Sequence, residues 1–372
     1  MSYVNKINFC KKCLMPSTRP RIVFKKKICN GCLNAELKKK IDWHARKKEF
    51  LSIIDKTRKK KKLYDCVVPW SGGKDSSAIA YRLKFEYGLN PLLVTFSPLI
   101  PTDIGIHNRN EMLNIGFDHI LFNPNQFVAK YLSKRFFIER GNPKVAWDAG
   151  INVAPVLVAE KFDIPIIFYA EHGESEFGGK VISKEHQRTR DLSEVLEHQI
   201  GDDPRNWEDE KINIRDLLPY IYPDSKSLRK RIKAYYFSYF FKWDILENYR
   251  MISQKINFKL APKNRTDGTF TNYDSLDDKI DNLYYYMQYI KFGFGRSYRD
   301  ASRLIQLNYL SKKDAKEKIK KYDAEFPKTY LKDVLKYFNI NKKELFNIID
   351  MHRNNELWEK KNGVWIKRFN NR

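Results

Sequence analysis

The segment Ser71-Gly72-Gly73-Lys74-Asp75-Ser76-Ser77 combines residue types that can hold a phosphate group. Two adjacent glycines let the backbone approach an anion closely and adopt dihedral angles that other residues avoid. The segment follows a hydrophobic stretch and opens a helical pattern, so free amides and the positive end of the helix dipole would face the anion. The serines add hydroxyl donors, and Lys74 is a candidate cation. The spacing of a Walker A loop is absent, which indicates another kind of phosphate-binding loop.

Four of the five cysteines form two Cys-x2-Cys pairs near the start of the chain. They are Cys10 and Cys13, then Cys29 and Cys32, with 15 residues between the pairs. This spacing is typical of a zinc site with four thiolate ligands. Disulfides are the alternative, but nothing in the sequence places the chain in an oxidising compartment. Since four sulfur ligands leave no open coordination position, we expect the Zn²⁺ site to be structural.

The elements around the loop alternate between strand and helix patterns. Strands are predicted over 63–69, 91–96, 119–122 and 164–170, and helices over 76–87, around 109–114, over 126–138 and near 150–161. Such alternation predicts an α/β fold with a doubly wound parallel sheet. Beyond residue 200 the pattern becomes helical and rich in aromatic residues, and the run from Tyr235 to Phe241 is ambiguous between strand and helix.

The loop resembles the S-G-G-x-D-S signature of the PP-loop ATP pyrophosphatases. The resemblance implies that the loop grips the pyrophosphate of ATP while a substrate oxygen attacks the α-phosphate, which yields AMP-activated substrate and pyrophosphate. It also implies that Thr95 and Phe96, at the end of the second strand, lie near the adenine. Asp75 could position a water bound to Mg²⁺, because this ion usually bridges triphosphate oxygens and keeps several waters.

The chain carries a net charge of +25, which is concentrated at its N-terminal end. Residues 1–62 hold 20 Lys and Arg against 4 Asp and Glu, a net +16. Such a module either binds an anionic partner or is a solvated surface in a lysine-rich protein. The sequence contains no run of 18 apolar residues and no secretory signal pattern, so we expect a cytoplasmic protein without a membrane partner.

The cysteine count limits the chemistry that can follow activation. Outside the two pairs the chain has only Cys66, in a strand expected to be buried, where a thiol behaves as a small apolar side chain. Sulfur transfer and a built-in thiol glutaminase both need an activated cysteine, so both are disfavoured. We therefore expect ammonia supplied from outside.

The block from Asn272 to Arg296 is open to two interpretations. Leu276, Ile280, Leu283, Met287 and Ile290 fall on one helical face, and Asp274, Asp277, Asp278 and Asp281 fall roughly opposite. On physical grounds alone, the acidic residues would be a solvated helix face.

A family resemblance favours a functional role for this block. The cysteine pairs, the loop, the segments 169–174 and 241–244, and the Asn272–Arg296 block together resemble the N-acetyl sugar amidotransferase family over residues 9 to about 330. The resemblance implies an ATP-dependent ligase that serves O-antigen lipopolysaccharide or flagellin glycosylation, including pseudaminic acid. It would convert the acetamido group of a nucleotide-linked or nonulosonic sugar into an acetamidino group, with ammonia from a separate glutaminase.

The resemblance and the strand ends suggest roles for further residues. Glu171, His172 and Glu174 follow a strand end, where α/β sheets place ligands, and one of them would accept a proton from ammonia or contact Mg²⁺. His172 is equally consistent with an ordinary polar loop residue. Candidate sugar and metal contacts are Asp274, Asp277, Asp278 and Arg296.

The expected organisation has four parts: a zinc ribbon at 1–35, a basic helical connector at 36–62, an ATP-binding α/β domain at 63–200 and a mostly helical substrate-binding region at 201–372. The alternative function is a PP-loop enzyme that adenylates a tRNA base, which suits the ribbon and the basic module. The missing catalytic cysteines count against it, so nucleic acid is not the expected substrate.

Overall fold

A computed structural model describes residues 7–58, 62–179, 184–190, 196, 200–223 and 230–369. The N-terminal region forms a short antiparallel hairpin followed by two helices. These elements are β1 (Phe24–Lys25), β2 (Ile28–Cys29), α1 (Asn30–Lys38) and α2 (Trp43–Arg58). The apolar side of α2 is buried through Phe50 and Ile54, whereas Leu37 on α1 is 61% exposed. The connector is therefore packed on the protein at α2 and open to solvent at α1.

A five-stranded parallel sheet forms the centre of the molecule. In chain order its elements and those between them are β3 (Cys66–Pro69), α3 (Lys74–Tyr81, continued by a wider helical turn over Arg82–Glu86), β4 (Pro91–Phe96), α4 (Asp103–Asn114), β5 (Asp118–Phe122), α5 (Gln126–Arg140), α6 (Val145–Lys161), β6 (Ile166–Tyr169), α7 (Gly173–Phe177), α8 (Lys184–Arg188), α9 (Ile214–Leu217) and β7 (Lys233–Tyr236). The strand order is β5-β4-β3-β6-β7, so the order reverses between β3 and β6.

Helices cover both faces of this sheet. Successive strand residues point to opposite sides, and the residues on both sides are apolar, so both faces need to be buried. Val67, Leu92, Val94 and Ile167 pack with residues of α5 and α6. Their neighbours Cys66, Val68, Leu93 and Phe168 pack with residues of α2 and α3. The doubly wound α/β fold expected from the alternating pattern is confirmed.

The C-terminal region is mostly helical and ends in a hairpin. Its elements are α10 (Phe237–Phe240), α11 (Ile245–Ser253), α12 (Asp281–Phe292), α13 (Arg296–Gln306), α14 (Lys312–Tyr322), α15 (Leu331–Phe338), α16 (Lys342–Met351), β8 (Trp358–Lys361) and β9 (Val364–Lys367). The four N-terminal cysteines pack against Phe294, Tyr298 and Ala301 in one hydrophobic cluster. The first and last parts of the chain thus share a core.

Two regions differ from the sequence-based expectation. The ambiguous aromatic run contains both elements, since β7 ends at Tyr236 and α10 begins at Phe237. The sheet therefore includes a strand beyond residue 200, where we placed the end of the α/β domain. The expected helix over 276–290 begins only at Asp281, and Asp278 and Asp281 are buried, so the solvated acidic face is wrong. No helix among the described residues is both long enough and apolar enough to cross a bilayer.

Candidate functional site

A cleft of about 600 Å³ lies at the carboxyl ends of β3, β4 and β6. Its walls include residues 69–76 of the glycine-containing loop, Phe96, Glu171 and the segment 273–277. The strand order reverses between β3 and β6, and open α/β sheets bind ligands at such a reversal. The sequence separates the loop from the segment 273–277 by about 200 positions, and the fold brings them together.

The loop conformation depends on glycine at position 72. Gly72 has a φ of +91°, and a Cβ atom there would lie 2.5 Å from Cγ of Arg109. Gly73, the residue before α3, donates its amide to Ser71 Oγ over 3.2 Å. Any larger residue at position 72 would have to displace Arg109, whose Nη1 is buried without a hydrogen-bond partner among the described residues.

Lys74 links the loop to the C-terminal region. Its side chain is buried, and its Nζ donates to Asp75 Oδ2 over 2.7 Å and also to Asp274. Burial lowers the pKa of Lys74, but Asp274 and Asp75 raise it by more, so the amine stays charged. The other oxygen of Asp75 accepts a hydrogen bond of 2.9 Å from Asn248. The cation expected to face a phosphate is therefore engaged with two carboxylates, which fix the start of α3 against residue 274.

Glu171 is a carboxyl group that changes charge near neutral pH. It follows β6 and lines the cleft. Burial and the negative charge of Asp75 raise its pKa to about 7, against the opposing effects of Arg303 and Lys74. A carboxyl with a pKa near the working pH is suited to accept or donate a proton in catalysis.

Two further carboxyls that line the cleft also have raised pKa values. Burial and Asp281 raise the pKa of Asp277 to about 7, and burial raises that of Asp148 to about 7. The positive charge of Lys144 opposes the rise of both pKa values. Lys144 donates a hydrogen bond to Asp281 over 2.5 Å, and its Nζ lies 3.7 Å from the centre of the Trp147 ring. This part of the cleft therefore combines the aromatic ring of Trp147 with the amine of Lys144 and two carboxyls that are partly protonated near neutral pH.

Three arginines of α13 form part of the cleft wall. Arg296, Arg299 and Arg303 line the cleft at spacings of three and four residues, which places them on one helical face. Arg296 donates to Thr266 Oγ1 over 2.8 Å and to the Asp274 carbonyl over 2.6 Å. Arg19 of the N-terminal region lies near this wall, and burial together with Arg299 and Arg303 lowers its pKa to about 10. Such a concentration of cations favours an anionic ligand.

Several predicted site residues lie outside the cleft. Thr95 is buried and donates to the Trp70 carbonyl, while Ser77 accepts a hydrogen bond of 2.8 Å from the Trp70 indole. Asp278 accepts hydrogen bonds from the amides of residues 99, 100 and 280. These three side chains support the walls of the cleft from behind. Phe96, which follows Thr95 in the sequence, is part of the wall itself.

His172 and Glu174 also point away from the loop. His172 is buried, and its Nδ1 accepts the Ser175 amide over 2.9 Å at the start of α7. Glu174 pairs with Arg21 Nε over 2.5 Å. Of the three candidate residues after β6, Glu171 lines the cleft. His172 and Glu174 do not line it and instead stabilise the segment that follows β6. Their proposed catalytic roles remain predictions.

Several residues that line the cleft were not expected from the sequence, among them Lys144, Trp147, Asp148, Arg299 and Arg303. The arginine spacing in α13 was a detectable signal. Lys144 precedes α6 and Asp148 lies in its first turn, and no local pattern marks them.

The four cysteines lie close enough to bind one metal ion. Their sulfur atoms are all within 4.8 Å of one another and all four residues are buried, with Sγ atoms 3.8 Å apart for Cys10 and Cys32 and 3.5 Å for Cys13 and Cys29. A tetrahedral zinc ion with bonds of about 2.3 Å places its sulfur ligands roughly 3.8 Å apart. The separations are too long for disulfides, whose sulfurs lie about 2.05 Å apart. The set fits Zn²⁺, and among the described residues it is the only cluster of potential ligands at metal-binding distance.

Comparison with known proteins supports a role in polysaccharide biosynthesis. Residues 267–371 match the family model described as "LPS biosynthesis protein WbpG-like, C-terminal domain". This range contains the cleft segment 273–277 and the arginines of α13. No curated protein matches the chain. The match covers less than a third of the chain and suggests a role in lipopolysaccharide biosynthesis.

Proposed function

We propose that this protein is an ATP-dependent amidotransferase that converts the N-acetyl group of a sugar into an acetamidino group. The observation that carries the proposal is the meeting of the loop at 71–76, Glu171 and Asp274 in one cleft, with residue 274 inside the segment that matches the lipopolysaccharide family. The loop supports ATP cleavage to AMP and pyrophosphate, because it resembles the loop of the ATP pyrophosphatases. The family match supports a substrate from lipopolysaccharide biosynthesis.

The proposed reaction first makes the amide oxygen a leaving group. The acetamido oxygen attacks the α-phosphate of ATP, pyrophosphate leaves, and an O-adenylyl imidate forms. Loop residues 71–76 and the amides at the start of α3 would hold the pyrophosphate. Bound Mg²⁺ would neutralise charge on the phosphates and would use few protein ligands, for which the carboxylates of Asp75 and Asp274, both in contact with Lys74, are the candidates.

Ammonia then displaces AMP. A bond forms between nitrogen and the imidate carbon, the bond between that carbon and the AMP oxygen breaks, and the proton lost by nitrogen passes to a base. Glu171 suits this role because its pKa of about 7 leaves a substantial ionised fraction near neutrality. The arginines of α13 would hold the anionic part of the substrate, such as a carboxylate or a diphosphate.

The thiol inventory supports ammonia from a separate glutaminase. Four cysteines lie in the metal cluster, and Cys66 is buried in β3, where burial raises the pKa of its thiol. A glutaminase nucleophile instead needs a lowered pKa and access to substrate.

The proposal is tested by incubating the pure protein with ATP, Mg²⁺, ammonium chloride and a panel of nucleotide-linked and nonulosonic diacetamido sugars. The expected products are AMP, pyrophosphate and a sugar in which NH replaces one oxygen, as detected by mass spectrometry. Glu171→Gln and Asp75→Ala should fail, and Glu139→Gln, an exposed residue of α5, is the matched control outside the cleft. ADP and orthophosphate as the primary products would contradict the proposal.

A further inference from the structure

Helix α13 lies between the cysteine cluster and the cleft. Its three arginines line the cleft and are here called the arginine wall. Tyr298, Ala301 and Ile305 belong instead to the hydrophobic cluster that contains the four cysteines. Since an α-helix has about 3.6 residues per turn, these three positions fall on the side of α13 opposite the arginines. The proposed metal site therefore lies behind the arginine wall.

The second cysteine pair contacts both α13 and α7. Gln306, the last residue of α13, donates from Nε2 to Cys32 Sγ over 3.7 Å. Gly31 lies between the two cysteines of this pair, and a Cβ atom there would be 3.1 Å from Gln306 Nε2. The same atom would be 3.0 Å from backbone atoms of Phe177 and Gly178, at the end of α7. The pair is thus packed tightly against two elements of the α/β and C-terminal regions.

Helix α7 extends this support to other parts of the cleft. It begins two residues after Glu171 and ends at Phe177. The guanidinium carbon of Arg303 lies 3.7 Å from the centre of the Phe177 ring, a geometry in which the ring attracts the cation. Glu174 of α7 pairs with Arg21, which lies between the two cysteine pairs. The N-terminal region therefore supports both the arginine wall and the segment that follows Glu171.

The cations near the arginine wall have few counter-charges. Arg19 and Arg299 form no ion pair with any residue that the structure describes. Arg303 is 3.9 Å from Asp274, but this carboxylate also binds Lys74. The charges of Arg299 and Arg303, together with burial, lower the pKa of Arg19 to about 10, so the three groups repel one another. Packing must hold them together, and together they favour an anionic ligand.

We propose that residues 10–32, here called the metal module, are part of the anion-binding site of the cleft. The module holds the arginine wall in place through the second cysteine pair, and it adds Arg19 to the cations of the wall. Loss of the metal would release the pair from α13 and α7, so the arginines would separate. The affinity for an anion therefore depends on a metal that does not touch the anion. The inference rests on the proposed function only for the identity of the anion, the charged part of the sugar substrate.

The structural link is tested by amide hydrogen exchange, which needs no ligand. The metal is removed with a chelator, and the exchange of peptides from the full chain is compared with that of the metal-bound protein. Exchange should become faster in the metal module, in α7 and in α13. It should stay unchanged in α5, whose buried residues belong to other hydrophobic clusters. Unchanged exchange in α13 would overturn the inference.

The anion site is tested by calorimetric titration with inorganic pyrophosphate, after the loop has been saturated with Mg²⁺ and α,β-methylene-ATP. The metal-bound protein should bind pyrophosphate. The affinity should fall roughly 10-fold or more in Arg19→Gln and in the metal-free protein, which is the effect of losing one charge-assisted hydrogen bond. Arg215→Gln, at an exposed position of α9, is the matched control and should bind as the wild type does.

Gly31→Ala separates the packing of the metal module from the metal itself. Its Cβ would displace α7 and α13 by a few tenths of an ångström but leave all four cysteines in place. The protein should keep its metal and bind pyrophosphate more weakly. Gly173→Ala is the matched control, because its Cβ would meet no atom within 4 Å.

The two proposals fail in different ways. Pyrophosphate affinity that is equal with and without metal, or equal in Arg19→Gln and the wild type, would overturn the role of the metal module. A protein that binds pyrophosphate in a metal-dependent way but forms no AMP with any sugar of the panel would contradict the proposed function and support the metal-dependent anion site.

Discussion

Replacing Glu171 with Gln should make the protein more stable and less active, with a gain in stability that depends on pH. The pKa of this carboxyl rises from 4.5 to about 7 in the folded protein, chiefly through burial. The folded state thus holds the proton more tightly than the unfolded chain. The stability contributed by the protonated form is complete below pH 4.5 and is lost as the pH rises toward 7.

The expected magnitude follows from the two pKa values. Each pKa unit corresponds to about 1.4 kcal/mol, so ionised Glu171 costs the folded state about 3 kcal/mol above pH 7. Gln has similar shape and no charge. Glu171→Gln should therefore exceed the wild type by about 3 kcal/mol at pH 8.5 and by less than about 1 kcal/mol at pH 5.

The measurement is urea-induced unfolding of both proteins at pH 5 and pH 8.5, with metal held constant. Glu174→Gln is the control, because it breaks the ion pair with Arg21 and should lose stability at both pH values. Turnover of Glu171→Gln should fall by roughly 100-fold or more if the carboxylate is the base. A stability difference between Glu171→Gln and wild type that is the same at both pH values would refute the argument.

Four further outcomes are expected. Cys29→Ser should release one zinc ion per chain, measured by metal analysis, and should disorder the N-terminal hairpin; full metal retention would contradict the four-thiolate site. Asp75→Ala should lower the rate of pyrophosphate release ~100-fold or more, since it removes a fixed charge at the loop, and a near-normal rate would exclude that role. Cys66→Ser should leave the ammonium-driven rate within a few-fold of wild type and glutamine should not support turnover, whereas glutamine hydrolysis by the pure chain would reopen thiol chemistry. RNA at moderate salt should neither stimulate nor inhibit turnover, and a burst of AMP that depends on tRNA would favour the alternative substrate.

The sequence was informative where local rules decide the structure. The loop glycines, the cysteine spacing and the strand Pro91–Phe96 all follow from short-range geometry or periodicity, and the structure has each in the expected place. Glu171 could be selected because it follows a strand end. Whether its neighbours reach the cleft was not predictable, since α7 starts at once and turns His172 into a helix cap.

Long-range packing accounts for what the sequence did not reveal. Tyr236 and Phe237 have similar propensities but end a strand and begin a helix, because the former completes the sheet and the latter packs against Phe50 of α2. The acids at 277–281 looked solvent-facing by helical periodicity. Asp278 and Asp281 are buried instead, because Asp278 accepts hydrogen bonds from the amides of residues 99 and 100 and Asp281 pairs with Lys144, which no local pattern encodes.

The ion pair between Lys74 and Asp274 has a consequence for synthesis on the ribosome. At about 5–20 residues per second, roughly 10–40 s pass between the emergence of the lysine and that of its distant partner. For part of this interval, from the emergence of β6 until that of β7 at 233–236, β6 is an open sheet edge. The nascent chain therefore carries an uncovered strand and a lysine that lacks one of its two carboxylate partners, and it needs protection from neighbouring chains until the later segments emerge.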